Sequence, residues 1–135
     1  MPAGPQQAAA IPFRRTREGP SLCLITSKAS DLWSIPKGTI EAGFTAEEAA
    51  LQEALEEAGL EGRIEGACVG TYEYPKAGIL LTVAVYLMEV HLEAAEWEEQ
   101  DVRRRRWVPL AEALRLLGGH PARALVAEAC RQIDR

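Results

Sequence analysis

Between Thr45 and Ala58 the chain carries five glutamates (Glu47, Glu48, Glu53, Glu56, Glu57) and neither lysine nor arginine. The same segment has the clearest helix signature in the sequence. Thr45 can cap it, Glu48 three residues on completes a capping box, and Gly59 stops it. On a helix, Glu53, Glu56 and Glu57, spaced i, i+3 and i+4, fall within roughly 100° of one another. Leu51, Leu55 and Ala58 are expected to point the opposite way, into a core. Each like-charge pair at this spacing costs a few tenths of a kcal/mol in an exposed helix, and Glu57 sits at the C-terminal end, where the helix dipole disfavours an anion. Stability alone would mix in lysines. A solvated acidic face is one reading. A divalent cation is the other, because hard oxygen ligands suit Mg²⁺ or Mn²⁺, which bind through a few carboxylates plus water and substrate phosphates.

The rest of the 135-residue chain reads as one domain. A domain of this size needs no disulfide or metal to fold. Residues 1–8 are Pro, Gly, Gln and Ala without a periodic pattern and are expected to form a flexible N-terminal arm, leaving 9–135 as the folded unit. Short strands are predicted over Ile11–Arg15 and Leu22–Thr26, and longer ones over Arg63–Tyr74 and Ile79–His91, meeting at Pro75-Lys76-Ala77-Gly78. A loop punctuated by Gly38 and Gly43 precedes the acidic helix, and two further helices are expected, one beginning near Pro109 and one after His120, with Pro121 in its first turn. The fold class is α/β, with a mixed sheet and helices on its faces. Cys23, Cys68 and Cys130 are an odd number lying far apart, which gives no disulfide framework and no zinc motif. The N-terminus lacks a secretory pattern, and the longest apolar stretch, Ala77–Met88, is too short to cross a bilayer. A cytoplasmic protein, monomer or homodimer, is expected. The net charge of −5 argues against capture of nucleic acid.

The segment from Gly38 to Leu60 resembles the Nudix box, whose usual form is Gly, five residues, Glu, seven residues, then Arg-Glu-apolar-any-Glu-Glu-any-Gly-apolar. Gly38, Glu53, Ala54, Glu56, Glu57, Gly59 and Leu60 match in register. Phe44 stands where the family has Glu, and Gln52 where it has Arg. Losing both members of that pair leaves no orphaned charge, and the Phe44 ring can pack in the gap. The resemblance implies an α/β/α sandwich with a mixed sheet between helices. It also implies metal-dependent hydrolysis of a diphosphate linked to another group. By position, Glu56 and Glu57 are expected as metal ligands and Glu53 as a further ligand or the general base. The backbone carbonyl near Gly38 is a further ligand often seen in the family, and the metal polarises the phosphate and activates water.

Beyond the box, Leu24–Lys28 before Trp33, Ile35–Gly38, Glu96-Trp97-Glu98 and Arg103–Ala113 resemble the branch that cleaves diphosphoinositol polyphosphates and diadenosine polyphosphates. A small phosphorylated substrate of this kind calls for cations. Arg14, Ser27, Lys28, Lys37, Arg103 and Arg105 are the candidate phosphate-binding residues, since the guanidinium fork grips phosphate oxygens in pairs. In a strand, Arg103 and Arg105 point to one face and Arg104 and Arg106 to the other. Pairing of the arginine run with Glu93, Glu96, Glu98, Glu99 and Asp101 is an equal alternative. The Glu96–Asp101 loop reads as solvated, or as the source of a base or extra ligand, and Trp33, Trp97 and Trp107 are either buried or available to stack on a base. Hydrolysis of ADP-ribose, a nucleotide sugar or a nucleoside triphosphate, and nucleotide binding without catalysis, are the competing functions.

Overall fold

A computed structural model describes residues 4–133. Residues 1–3, part of the expected arm, and 134–135 lie outside the described residues. The elements run β1 (Gln7–Thr16), β2 (Gly19–Thr26), β3 (Trp33–Ser34), β4 (Lys37–Thr39), α1 (Ala46–Ala58), β5 (Leu60–Lys76), β6 (Ile79–Glu93), β7 (Arg105–Pro109), α2 (Leu110–Leu117) and α3 (Arg123–Cys130). The first strand begins at Gln7, so the last two residues assigned to the arm belong to the sheet. Pro121 precedes α3 rather than opening it.

The seven strands form one mixed sheet in the order β3-β2-β1-β6-β5, with β4 also pairing β1 and β7 also pairing β2. β1 and β6 are parallel, from Gln7 opposite Val83 to Phe13 opposite Glu89, and the other pairings are antiparallel. Strand alternation divides the core in two. Ala9, Ile11 and Phe13 of β1 and Val83, Val85 and Leu87 of β6 face α2 and α3, where they meet Ala113, Leu117, Val126 and Ala129. Ala8 and Ala10, with Ala84, Tyr86 and Met88, face α1. The result is the expected α/β/α sandwich.

Helix α1 forms as its caps predict. Thr45 Oγ1 accepts the Glu48 amide at 3.1 Å, the Glu48 carboxylate accepts the Thr45 amide at 2.9 Å, and Gly59 closes the helix at φ 68°. The face it buries is not the expected one. Ala49, Ala50, Ala54 and Ala58 pack onto Ala8, Ala10 and Ala84 of the sheet. Leu51 is only partly buried, and Leu55 is 38% exposed in a shallow groove with Phe44 and Leu60. Methyl-on-methyl contact lets the helix axis lie close to the sheet, and Glu57, next to the buried Ala58, is carried inward with it.

Close packing between small residues leaves little room for larger ones. Ala54→Leu is therefore expected to destabilise the protein by about 1–3 kcal/mol through overpacking. Leu55→Ala at the exposed position should cost less than about 1 kcal/mol. Urea denaturation of the two variants checks the assignment, and a larger loss for Leu55→Ala would contradict it.

Candidate active site

Three carbonyls of the last turn of α1, and that of the Gly59 cap, are met by the stretch leading from β6 into β7. The Glu99 amide donates to Glu56 O at 3.1 Å, Trp97 Nε1 to Glu57 O at 2.9 Å, Arg105 Nη1 to Ala58 O at 2.7 Å, and the Ala94 amide to Gly59 O at 2.9 Å. The Arg105 guanidinium lies 3.9 Å over the Trp97 ring and pairs with Glu93 at 3.1 Å. It supplies the positive charge that the last turn of α1 lacks. A side chain on Gly59 would collide with Trp97 and Arg105. This closure folds the acidic segment Glu93–Asp101 back under the glutamates of α1.

The glutamates fall into two linked sets. Glu53 and Glu57 stand together on the cleft side. Burial, chiefly, pushes the Glu57 carboxyl up to about 8; the Glu53 charge and hydrogen bond add to that rise, and Arg103 opposes it. Glu53 is also shifted upward, again chiefly by burial. Gly38 closes over this pair, and a Cβ there would stand 2.2 Å from the Glu53 carboxyl carbon. In the second set, Glu56, Glu98 and Glu99 bring carboxylate oxygens within 4.8 Å of one another. Gln52 donates to Glu56 Oε2 at 2.7 Å, a neutral replacement for the arginine of the usual box. Phe44, half exposed at 47%, lies along the groove beside Gln52 and does not fill a gap.

Arg103 joins the two sets. Its Nη2 lies 3.3 Å from Glu57 Oε2, its Nε 2.7 Å from Glu99 Oε1, and its Nη1 donates to Thr26 O at 3.0 Å, with the side chain 11% exposed. All five clustered carboxylates offer hard oxygen donors, two sets of them bridged by one guanidinium. That donor chemistry fits Mg²⁺ or Mn²⁺ rather than a softer ion. The sequence pointed to Glu53, Glu56 and Glu57. Glu98 and Glu99 were legible as loop acids that could supply a base or extra ligand, but not which of the loop's acids return to the helix, because nothing local in the sequence says so.

A cleft of about 670 Å³ opens beside Glu53 and Glu57. Ser27, Lys28, Lys37, Gly38 and Arg103, all expected at the site, line it together with Trp33, Tyr74, Lys76, His120 and Gln7. The Lys37 backbone amide donates to Glu57 Oε1 at 3.2 Å while its ammonium stands 3.8 Å over the Tyr74 ring. Lys28 is largely exposed at the rim, 4.0 Å from Glu99. His120 accepts the Ala122 amide on Nδ1, so its Nε2 carries the proton and donates to Ser34 Oγ at 3.1 Å. Burial, helped by Lys37, lowers its pKa.

Two expected phosphate ligands are not brought there. Arg14 lies 4.3 Å over Trp107 and 3.4 Å from Glu93, and Arg105 pairs with Glu93 and is spent on the helix end, the pairing alternative for the arginine run. Arg104 and Arg106 face outward, toward Asp31 and Glu112, as the alternation required. Of the tryptophans only Trp33 lines the cleft, and Trp97 is the helix-end donor.

The sequence profile described as "NUDIX domain" matches residues 4–129, and the chain belongs to that family. It is a Nudix hydrolase. The chain is similar to human diphosphoinositol polyphosphate phosphohydrolase 3-alpha, with 31% identity over 117 residues, covering 85% of this chain and 70% of that protein. It is also 36% identical over 91 residues to mitochondrial Nudix hydrolase 13 of Arabidopsis thaliana, covering 60% of this chain and 45% of that one. The fold superimposes on C. elegans Ap4A hydrolase with a TM-score of 0.78 at 19% identity, covering 96% and 98% of the two chains. Among the described residues no helix is long and apolar enough to cross a membrane.

The buried carboxyl at Glu57 makes a pH-dependent contribution to stability. A carboxyl raised from 4.5 unfolded to about 8 folded favours the native state fully below pH 4.5, and that contribution is lost as pH rises toward 8. Glu57→Gln removes the loss. The variant is expected to melt higher than the wild type at pH 8 and to differ less at pH 5, as read by thermal denaturation in the presence of a chelator. An unchanged gap between the two pH values would show that Glu57 is not the buried proton carrier. Arg105→Met should lower stability by about 1–3 kcal/mol at any pH, since it strips hydrogen bonds from buried carbonyls.

Proposed function

We propose that this chain hydrolyses a diphosphate linkage in a polyphosphate-rich or nucleoside-diphosphate-linked substrate, in the cleft bounded by Glu53, Glu57, Lys28 and Lys37. A diadenosine polyphosphate is favoured, with a diphosphoinositol polyphosphate next. The observation that carries the reading is the coexistence of a carboxylate pair, Glu57 buried and Glu53 half-buried, and a lysine-bearing rim on one cleft. An acidic centre alone repels a phosphate chain, and a basic rim alone has no means of activating water. The relatives' names point to the same substrate class for those proteins.

Glu53, Glu56 and Glu57, with Glu98 or Glu99, would hold a Mg²⁺ or Mn²⁺ ion, which lowers the pKa of a water and offsets charge on the attacked phosphate. Lys28 and Lys37 approach the phosphate oxygens as point charges, and Ser27 adds a hydroxyl at the same wall. Water oxygen bonds to phosphorus, the bridging P–O bond breaks toward the departing phosphate, and the water proton passes to a carboxylate. Glu53 suits that last role, because it lines the cleft and is less buried than Glu57. Arg103 holds Glu57 and Glu99 apart at a fixed separation, so it acts on ligand geometry rather than directly on substrate.

A panel of diadenosine polyphosphates, a diphosphoinositol polyphosphate, ADP-ribose, nucleotide sugars and nucleoside triphosphates tests the reading, with Mg²⁺ or Mn²⁺ supplied and released phosphate and nucleotide measured. Turnover should favour the first two and vanish in Glu57→Gln. Lys28→Ala and Lys37→Ala should each raise KM about tenfold or more, the worth of one charge-assisted contact. Activity that survives Glu57→Gln sinks the site assignment. Metal binding without turnover of any substrate would mark a domain that binds and does not cut.

A further inference from the structure

Gln7 is a polar residue where the core has no evident use for one. It opens β1, sits between Thr39 of β4 and Val83 of β6, is 3% exposed, and lines the cleft. Its Oε1 is buried with no hydrogen-bond partner among the described residues. A buried amide oxygen left unpaired is destabilising, and an apolar residue of the same length would avoid that cost. One position further across the same row, Tyr72 pairs with Val83, and its hydroxyl is likewise buried and unpartnered. Tyr72 stands edge-on to the His120 ring, 5.8 Å between centroids, behind a wall of the cleft. Two unmet polar atoms on one row of the sheet, one of them at the cleft wall, call for an explanation, and a ligand's hydrogen bond to Gln7 supplies it.

The chemistry of the orphan atom limits what it can meet. A carbonyl oxygen accepts and cannot donate, and phosphate oxygens also accept. Gln7 Oε1 therefore repels the polyphosphate part of a substrate and selects a neutral N–H or O–H donor. A ring whose hydroxyls are all phosphorylated offers none. A nucleoside offers two sources, an exocyclic base amine and the ribose hydroxyls. Trp33 and Tyr74 line the same cavity and give a flat group aromatic neighbours, while Lys28 and Lys37 give the phosphates theirs.

We infer that Gln7 is a specificity-determining residue that accepts a hydrogen bond from a neutral donor on the nucleoside portion of the substrate. It thereby favours nucleoside-linked diphosphates over fully phosphorylated polyols. The inference rests on the proposed diphosphate cleft for where the phosphates lie, but not on their being cut.

Calorimetric binding to the full-length chain tests it, with AMP, purine riboside monophosphate (which lacks the amine), 2′-deoxy-AMP and inorganic diphosphate as probes. The wild type should bind AMP about tenfold more tightly than whichever analogue lacks the donor that Gln7 meets, a difference of about 1.4 kcal/mol. Gln7→Met, close in length and apolar, should erase that difference and leave diphosphate affinity unchanged. Gln7→Glu, which keeps acceptor oxygens and removes the amide donors, should preserve it, and thermal melts of both variants establish that they fold. Equal loss of affinity for all probes in Gln7→Met, no wild-type discrimination among the nucleotides, or loss of discrimination in Gln7→Glu would each overturn the inference. Discrimination that depends on Gln7 in a protein inactive on every diphosphate would uphold it and refute hydrolysis instead.

Discussion

The sealed C-terminal end of α1 is the constraint on which the site depends. The last four carbonyls of a helix lack intrahelical partners; here the Gly59 amide closes back on Leu55 O, and those of Glu56, Glu57 and Ala58 are taken by Glu99, Trp97 and Arg105 from the stretch leading from β6 into β7. Those bonds are local to the helix, yet their effect is to fix a second acidic segment against the first. Glu99 reaches Glu56 and Arg103 through the same stretch of backbone whose amide bonds Glu56 O. Arg105 enables this by bringing a cation to the negative end of the dipole, so that acids can accumulate there.

Alanine contact on the other side of α1 sets the depth of the site. Because Ala49, Ala50, Ala54 and Ala58 lie against Ala8, Ala10 and Ala84, the helix sits low enough to bury Glu57, and Gly38 can close on Glu53 only because it has no side chain. The raised carboxyl of Glu57 follows from that depth. Burial that would be a liability in a structural helix gives a carboxylate pair a low-dielectric setting, where its interactions with cations are strong. Stability and function therefore pull in opposite directions at one residue, which explains the absence of lysine from this helix better than a solvated acidic face does.

The parts legible in the sequence were those set by spacing within one element. Thr45, Glu48 and Gly59 announce the helix, its three late glutamates announce the acidic cluster, and alternation along the arginine run separates Arg103 and Arg105 from Arg104 and Arg106. What was not legible depended on pairing between distant strands. Arg14 and Lys28 are equally good phosphate ligands on paper. The parallel pairing of β1 with β6 sets Phe13 opposite Glu89, and the chain beyond carries Arg14 to Glu93, away from the cleft. Leu55 misled for a different reason: on a helix whose buried stripe is alanine, the largest apolar residues do not mark the core. Glu98 and Glu99 required the helix-end bonds, which no local pattern encodes.

The cleft's chemistry is graded along its length, and the grading follows from which elements reach it. The end near α1 receives carboxylates from the helix and cations from the segments flanking β3 and β4, a setting for phosphate and metal. The floor comes from the sheet, where residues alternate and one face belongs to the apolar core. A polar residue on that face, packed at the wall of the cleft, must bond within the protein or bond what enters the cleft. Gln7 Oε1 finds no partner within the protein among the described residues. A polyphosphate held at the charged end places whatever group it carries toward the sheet, and a neutral acceptor there discriminates by the presence of a donor, not by charge. Charge supplies affinity for the diphosphate, which many cellular compounds share. Selection among them falls to the uncharged floor, because a buried polar group left unpaired by the wrong ligand penalises that ligand more than one extra favourable contact rewards the right one.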